Sequence, residues 1–281
     1  SSPYSFYGVG DVRFRGTAES RSMGGVSVEQ DSIHINLENP ASFANLKLTT
    51  FALGGTYATN KLKSDSKSES AKRTTLDYLA VGLPLGKIGV GFGLIPYSSV
   101  GYKIESLSAD VNANNRRYSG TGGLNKAFLG VGYKVTPSFS LGADVNYNFG
   151  KISTSSLEFI TGVPVGTREL NTADLSGVNF NIGAMYQTNL TKKLTLFTSL
   201  NYSLESSLNS KNTRNISTVI YNSGFDVAVV DVLDQQNSKV TMKFPSKISL
   251  SAGIGESKKW LIGGKIAYQK NPGEALSLIH I

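Results

Sequence analysis

The amino-acid sequence predicts an all-β fold, an antiparallel transmembrane β-barrel with an N-terminal hatch folded into its lumen. Two observations predict the barrel. Apolar and polar residues alternate with a period of two in many segments, and short connections between these segments alternate strictly with long ones. A third observation predicts the hatch, because residues 1–46 lack the strand pattern and are rich in Gly, Ser, Arg, Asp and Asn.

The composition excludes several classes of protein. The chain of 281 residues contains no Cys, so disulfides and thiol catalysis are excluded. No apolar run reaches the roughly 18–20 residues that a membrane helix needs. The formal net charge is +8, but the basic residues are scattered and no nucleic-acid motif accompanies them, so no nucleic-acid partner is expected.

The chain begins with Ser1-Ser2-Pro3, without an initiator Met or an apolar signal region. We interpret it as a mature chain whose export signal has been removed. Together with the alternating short and long connections, this predicts a location in the outer membrane of a Gram-negative cell. Residues 1–46 are expected to fold into the lumen, where their arginines pair with inward-facing acids such as Asp77 or Asp144. These arginines are Arg13, Arg15 and Arg21.

The clearest predicted strand covers residues 139–149. Apolar side chains from Phe139 to Phe149 occupy one face, and the other face carries Asp144, Asn146 and Asn148. The same alternation predicts about nine strands, near residues 47–58, 74–85, 88–103, 127–134, 139–149, 178–186, 194–202, 248–254 and 260–268.

The connections between these strands predict how they are oriented. The short connections lie at residues 86–87, 136–138, 190–193 and 256–259, and the long polar ones at 59–73, 105–117, 151–172 and 206–238. Outer-membrane barrels alternate in this way because their periplasmic turns are short and their extracellular loops are long. The alternative, a soluble β-sandwich or solenoid, gives no reason for every short turn to lie at one end.

One predicted strand has an inner face that is nearly bare, because Gly89, Gly91 and Gly93 alternate with apolar residues. Inward glycines allow another backbone to approach closely, although they also permit strong coiling of the sheet. Pro96 lies in the same predicted strand and cannot donate a ladder hydrogen bond. It therefore predicts either a lateral opening in the wall or the upper end of the strand pairing.

A further group of inward residues is polar. They either line a polar path or hydrogen-bond the N-terminal hatch, and the need of buried polar groups for partners favours the hatch. These lumen residues are Asp144, Asn146, Asn148, Asn179 and Asn181. The apolar stretch at residues 219–233, inside a long loop, either contacts a hydrophobic ligand or packs on the other loops.

Catalysis is not predicted from this sequence. The two His residues are His34 and His280, and no predicted strand carries either of them. No group of His, Asp or Glu has the spacing of metal ligands, and the Gly-rich segments lack the strand-to-helix context of a phosphate loop. No cofactor is therefore expected.

A short N-terminal pattern resembles the start of the FadL-type long-chain fatty-acid transporters. Met23-Gly24-Gly25, then Asp31, then Asn39-Pro40-Ala41 is similar to the pattern that opens the hatch in that family. Phe244-Pro245-Ser246 before a strand, and Trp260 at the start of the next one, also resemble the family.

The resemblance implies passive uptake of hydrophobic small molecules. A fatty acid or similar ligand rests above the hatch and leaves through a lateral gap, so the implied partners are this ligand and outer-membrane lipid. The alternative function is a non-transporting FadL-related barrel that docks partner proteins in protein secretion or outer-membrane assembly. A continuous apolar pocket above residues 24–41 favours transport, whereas a lumen sealed by polar contacts under bulky loops favours docking.

The resemblance also implies a barrel of about fourteen strands, which is more than the sequence pattern provides. The last residues, 276–281, resemble a translated sequencing adapter and are interpreted as a non-native tail. The predicted organisation is therefore a hatch at residues 1–46, an incomplete barrel at 47–275 and a non-native tail at 276–281.

Overall fold

The computed structural model describes residues 10–12, 16–26, 28, 31–63, 68–110, 112–221, 227–257 and 259–269. Its helices are α1 (Ala18–Ser22) and one 3₁₀ helix (Pro40–Asn45). Its strands are β1 (Asp11–Val12), β2 (Thr50–Lys63), β3 (Ser68–Leu85), β4 (Ile88–Pro96), β5 (Ser98–Ser106), β6 (Asn115–Thr136), β7 (Phe139–Phe159), β8 (Val165–Asn189), β9 (Thr195–Ser203), β10 (Ser206–Tyr221), β11 (Val227–Phe244), β12 (Lys247–Glu256) and β13 (Trp260–Gln269). Within these ranges, no helix is long and apolar enough to cross a membrane.

Strands β2 to β13 form one antiparallel sheet. At the end with the short turns, the strand order is β13-β12-β9-β8-β7-β6-β4-β3-β2. Towards the other end, β5 follows β4 along β6, while β10 follows β9 along β8 and pairs with β11. The prediction of an antiparallel all-β fold is confirmed. Within the described ranges, the edge strands β2 and β13 are not hydrogen-bonded to each other.

The strand boundaries differ from the prediction. Each predicted strand lies in the sheet, but the third is divided at Tyr97 into β4 and β5, and β1, β10 and β11 lie in segments without a predicted strand. The predicted long loops are largely strand: β7 and β8 remain paired as far as Phe159 and Gly166. Apolar residues such as Ile152 and Leu157 are few and irregularly spaced in these extensions. No sustained period-two signal therefore results, yet strand pairing satisfies the backbone groups.

The outer face of the sheet carries an exposed apolar band. Leu129 and Phe180 are each 52% exposed, and Ile262 is 74% exposed. The other exposed members of the band include Phe51, Leu53, Val131, Tyr133, Val145, Tyr147, Val178, Ile182, Leu200, Tyr202, Leu250, Ile266 and Tyr268. A continuous apolar surface of this extent marks a contact with a membrane or a partner.

The opposite face, called here the inner face, contacts the N-terminal segment, residues 16–46. Asn39 begins the 3₁₀ helix of this segment, because its Oδ1 accepts the backbone N–H of Ala41 at 3.0 Å. Pro40 follows at the first helical position, where its missing N–H is not needed. Every residue of the helix is buried, and the helix contacts β3, β4, β6, β7 and β8.

An ion pair joins β8 to β10 beyond the apolar band. Arg214 donates from Nε to Glu169 Oε1 at 2.8 Å and from Nη2 to Oε2 at 3.2 Å. These hydrogen bonds hold the pKa of Glu169 below its ordinary value of 4.5, against an opposing effect of desolvation. A carboxyl with a lowered folded pKa contributes stability that is complete above the unfolded pKa and lost as the pH falls through the folded pKa.

We therefore expect the side-chain carboxyl of Glu169 to titrate, in a ¹³C NMR experiment, with a midpoint below 4.5. Arg214→Gln should raise this midpoint towards 4.5, because the charged donor is lost. A midpoint that does not change on substitution contradicts the ion pair.

Candidate functional site: the inner face and the N-terminal segment

Four glycines on adjacent strands lie directly under the 3₁₀ helix. Gly89 is the register partner of Gly132, Gly132 of Gly142, and Gly142 of Gly183. Together they form a row across β4, β6, β7 and β8 with no side chain on the inner face. A Cβ at Gly89 would overlap the backbone carbonyl of Phe43. This row therefore lets the backbone of the N-terminal segment lie against the backbone of the sheet.

The two glycines of the β6–β7 hairpin also lie close to the backbone of the helix. A Cβ at Gly132 would lie 2.6 Å from the backbone nitrogen of Ala44 and 2.7 Å from the carbonyl oxygen of Pro40. A Cβ at Gly142 would overlap the backbone of Pro40 and Ala41. No residue other than glycine fits at these two positions unless the helix moves.

The predicted glycines of the third strand have different neighbours. The ring of Phe43 lies 2.8 Å from the position of a Cβ at Gly91, so both Gly89 and Gly91 face the N-terminal segment. A Cβ at Gly93 would instead meet Leu79 of the neighbouring strand and the ring of Phe128.

Asn39 connects the 3₁₀ helix to two strands of the sheet. Its side chain is buried, with 2% of the residue exposed. Its Nδ2 donates to Ser199 Oγ at 2.8 Å, to the carbonyl oxygen of Leu200 at 3.0 Å and to that of Ala184 at 3.2 Å. One amide thus serves both as the cap of the helix and as its link to β8 and β9.

The Met23-Gly24-Gly25 part of the motif forms the turn after α1. Met23 is exposed, and both glycines have positive φ, +67° at Gly24 and +84° at Gly25. Their N–H groups donate to the carbonyl oxygens of Arg21 and Ser20. Because left-handed backbone favours glycine, this turn ends the helix.

The N-terminal segment contacts both edges of the sheet. Arg21 Nη2 lies 3.0 Å from Asp77 Oδ2 on β3, and Arg21 Nη1 donates to Thr56 Oγ1 on β2 at 3.2 Å. At the other edge, Lys265 Nζ on β13 lies 3.0 Å from Glu38 Oε1. Because strands from both edges contact one short segment, the sheet curves around that segment.

A hydrogen bond within the segment connects these two contacts. Ser20 Oγ donates to Glu38 Oε2 at 3.3 Å, and Ser20 precedes Arg21 in α1. Contacts of Arg21, Ser20 and Glu38 therefore connect β2 to β13 through the N-terminal segment. The predicted pairing of Arg21 with Asp77 is confirmed, whereas Arg13 and Arg15 lie outside the described residues.

Strand pairing changes next to Pro96. The ladder between β3 and β4 stops at Leu79 and Leu94, two residues before the proline. The ladder between β4 and β6 continues to Pro96, whose partner is Asn125. Pro96 therefore lies where β4 has a neighbour on one side.

Strand β1 lies beside this position. Asp11 is the register partner of Ser99 on β5. The Oδ2 atom of Asp11 is also 3.9 Å from Arg73 Nη1 on β3. A short strand from the N-terminal part of the chain thus contacts both β5 and β3 beyond the end of the β3–β4 ladder.

The five predicted lumen residues lie on β7 and β8. Asp144 accepts hydrogen bonds from the amides of Asn146 and Asn181, the latter at 2.7 Å. Asn148 Nδ2 donates to Asn179 Oδ1 at 2.6 Å. These hydrogen bonds link the two strands across the inner face and make that face polar next to the N-terminal segment.

His34 lies in the N-terminal segment, where its Nδ1 is 2.7 Å from Asp31 Oδ2. Both side chains are largely accessible to solvent. In the part of the chain that the structure describes, no group of three or more His, Cys, Asp or Glu residues could hold a metal ion. His280 and the predicted tail at residues 276–281 lie outside that part.

Sequence reasoning missed most of the glycine row, namely Gly132, Gly142 and Gly183. The signal was present for the first two, because a turn at residues 136–138 places Gly132 opposite Gly142 once the hairpin is recognised. Glu38 and Lys265 were also missed, since they are 227 residues apart in the chain.

A family model named BamG matches residues 1–278 of the chain. No curated protein and no solved structure matches the chain. The resemblance to FadL-type transporters is therefore wrong as an assignment of family. The residues that suggested it have local roles, since Met23-Gly24-Gly25 forms a helix-ending turn and Asn39-Pro40 begins a 3₁₀ helix, and such features can recur in unrelated chains. BamG is a component of the BAM complex. Because the model matches nearly the whole sequence, this outer-membrane-associated chain belongs to the BamG family.

Proposed function

We propose that the protein is a non-transporting outer-membrane β-barrel that docks partner proteins during outer-membrane assembly. The observation that carries the proposal is the N-terminal segment, which lies on the inner face and contacts the sheet from β2 to β13. Its contacts include the buried amide of Asn39 and the ion pairs of Arg21 and Lys265. Membership of the BamG family supports a role in assembly.

The curvature of the sheet and its apolar outer face support a barrel that closes around the N-terminal segment as its hatch. A barrel strand needs about 9–11 residues to cross a bilayer. Strands β9, β12 and β13 have 9, 10 and 10 residues. In this arrangement, β1 becomes part of the barrel wall next to the point where the β3–β4 ladder ends before Pro96.

The long strands provide the docking surface. Strands β6, β7 and β8 have 22, 21 and 25 residues, about twice the length that crosses a bilayer. About ten residues of each strand therefore project beyond the membrane, which corresponds to roughly 30 Å. On β11, Val229, Val230, Val232 and Leu233 are exposed in this projecting region. A protein partner that covers them removes apolar surface from water.

The proposal assigns the chain no catalytic role and no cofactor. Its inner face carries amides, Asp77, Asp144 and the 3₁₀ helix, and these polar groups hydrogen-bond to one another or to the N-terminal segment. Transport of a fatty acid would require an apolar path through this region. The polar contacts of Asp144 and Asn39 favour docking over such a path.

The test uses a tagged full chain that is purified from outer membranes in mild detergent. We expect known outer-membrane assembly proteins to copurify, and Val230→Asp with Leu233→Asp to reduce their yield. Leu85→Asp with Leu190→Asp makes the same kind of change at two exposed apolar residues at the opposite end of the sheet. This matched control should leave the yield unchanged. Copurification of no assembly protein, together with a loss of fatty-acid uptake on depletion, would contradict the proposal.

A further inference from the structure

A polar cavity of about 350 Å³ lies where the short turns meet the N-terminal segment. The segment contributes Ser32 and Asn45 to its lining, and Lys47 follows directly after the segment. The β6–β7 hairpin and the end of β8 contribute the remaining lining residues, which are Lys134, Pro137, Ser138, Gln187, Thr188 and Asn189. The volume falls in the range of ligand sites, about 300–1,000 Å³.

The cavity and its surroundings are basic. The ion pairs found within the described ranges include neither Lys47 nor Lys134. The neighbouring short turns carry the exposed lysines Lys87, Lys192 and Lys193. Because like charges gathered at one end of a protein raise the local concentration of anions, an anionic group is the expected occupant.

Two amide oxygens at the cavity wall lack a hydrogen-bond donor. Asn45 is 7% exposed, and its Nδ2 points towards Ser140 Oγ at 3.5 Å. Its Oδ1, like Gln187 Oε1, has no hydrogen-bond partner among the described residues. Buried acceptors usually have a donor. A peptide backbone offers N–H donors, whereas a phosphate at neutral pH offers mainly acceptors.

The cavity opens away from the lipid-facing surface. Lys134 and Gln187 lie on the inner face, in alternation with the exposed outer residues Tyr133 and Tyr186. A lipid headgroup beside the apolar band therefore meets the tyrosines and not the cavity. This orientation favours a protein over a membrane as the occupant.

We propose that this cavity binds an acidic peptide segment of a partner protein. A carboxylate of the peptide lies between Lys47 and Lys134, and its backbone N–H groups donate to the side chains of Asn45 and Gln187. The proposal rests on the proposed docking function in taking a protein as the source of the segment. Its test uses purified components, so it can fail while the copurification of assembly proteins succeeds.

The test measures fluorescence anisotropy of a labelled hexaglutamate peptide with the full chain in detergent micelles. Lys47→Gln with Lys134→Gln should weaken binding about tenfold, because two charge-assisted contacts are lost. Lys87→Gln with Lys192→Gln makes the same charge change at the same end but outside the cavity. This matched control should weaken binding by less than about twofold.

A second variant distinguishes a peptide ligand from a phosphate ligand. Gln187→Leu keeps the charge but removes an acceptor, so hexaglutamate should bind about threefold more weakly. Binding of tripolyphosphate, measured by competition, should be unchanged by this substitution.

Three results would overturn the proposal. An equal loss of hexaglutamate affinity in Lys87→Gln with Lys192→Gln would show that lysines outside the cavity bind the anion. An unchanged hexaglutamate affinity in Gln187→Leu, with tripolyphosphate competing equally well, would favour a phosphate ligand. Displacement of the peptide by phosphatidylglycerol in mixed micelles would identify a lipid headgroup as the occupant.

Discussion

Gly142→Val is expected to detach the N-terminal segment from the inner face. A Cβ at this position overlaps the backbone of Pro40 and Ala41, and a valine adds two further methyl groups. The 3₁₀ helix must then move, at a cost of about 3 kcal/mol or more, because backbone on both sides prevents local relaxation. Limited proteolysis should show new cleavage within residues 40–46, and the thermal unfolding midpoint should fall.

The matched control is Gly264→Val, which makes the same change in the same sheet. A Cβ at Gly264 meets no atom within 4 Å, so the unfolding free energy should change by less than about 0.5 kcal/mol. If Gly142→Val resists proteolysis as well as the unsubstituted protein does, the N-terminal segment does not lie on the glycine row.

Asn39→Ala is expected to have the second largest effect. The substitution removes the helix cap on Ala41 and the donor to the buried Ser199 Oγ, whereas Ala184 and Leu200 also pair within the sheet. Loss of a cap costs about 1 kcal/mol, and leaving the one side-chain acceptor unpaired costs about 1–3 kcal/mol. The expected loss of unfolding free energy is therefore about 2–4 kcal/mol, measured by denaturant titration of the detergent-solubilised protein.

Asn39→Asp separates the two roles of the side chain. Aspartate keeps an acceptor for the Ala41 N–H but brings a negative charge to the oxygens that the Asn39 amide contacts. We expect it to be at least as destabilising as Asn39→Ala, because a buried charge facing acceptors has no compensation. Stability equal to that of the unsubstituted protein would show that the amide donor bonds are unimportant.

The sequence allowed the strands of the apolar band to be predicted, because one physical cause produces their pattern. Phe180 and Ile182 face outward while Asn181 between them faces inward, and the alternation follows directly from the pleat. Turn-length connections such as 136–138 then located the hairpins. The absence of the strand pattern from residues 1–46 also distinguished the N-terminal segment from the sheet.

Other features depend on contacts that no local pattern contains. The part of β8 before Ser176 carries only a few irregularly spaced apolar residues, so most of it was predicted as a loop. The partners of Asn39 lie 145 to 161 residues away and are fixed by the register of β8 and β9. The family assignment failed for a related reason, since a few residues with local roles in a turn and a cap were read as evidence of ancestry.

The N-terminal segment lies inside the curved sheet and contacts its last described strand, β13. Because the chain contains no Cys, Glu38→Cys with Lys265→Cys creates a unique thiol pair for a short bifunctional reagent in intact outer membranes. We expect rapid cross-linking of this pair, and none between Glu38→Cys and Lys239→Cys on the projecting β11. Failure of the Glu38 and Lys265 pair to cross-link, in protein that is correctly inserted, would show that the N-terminal segment does not contact β13.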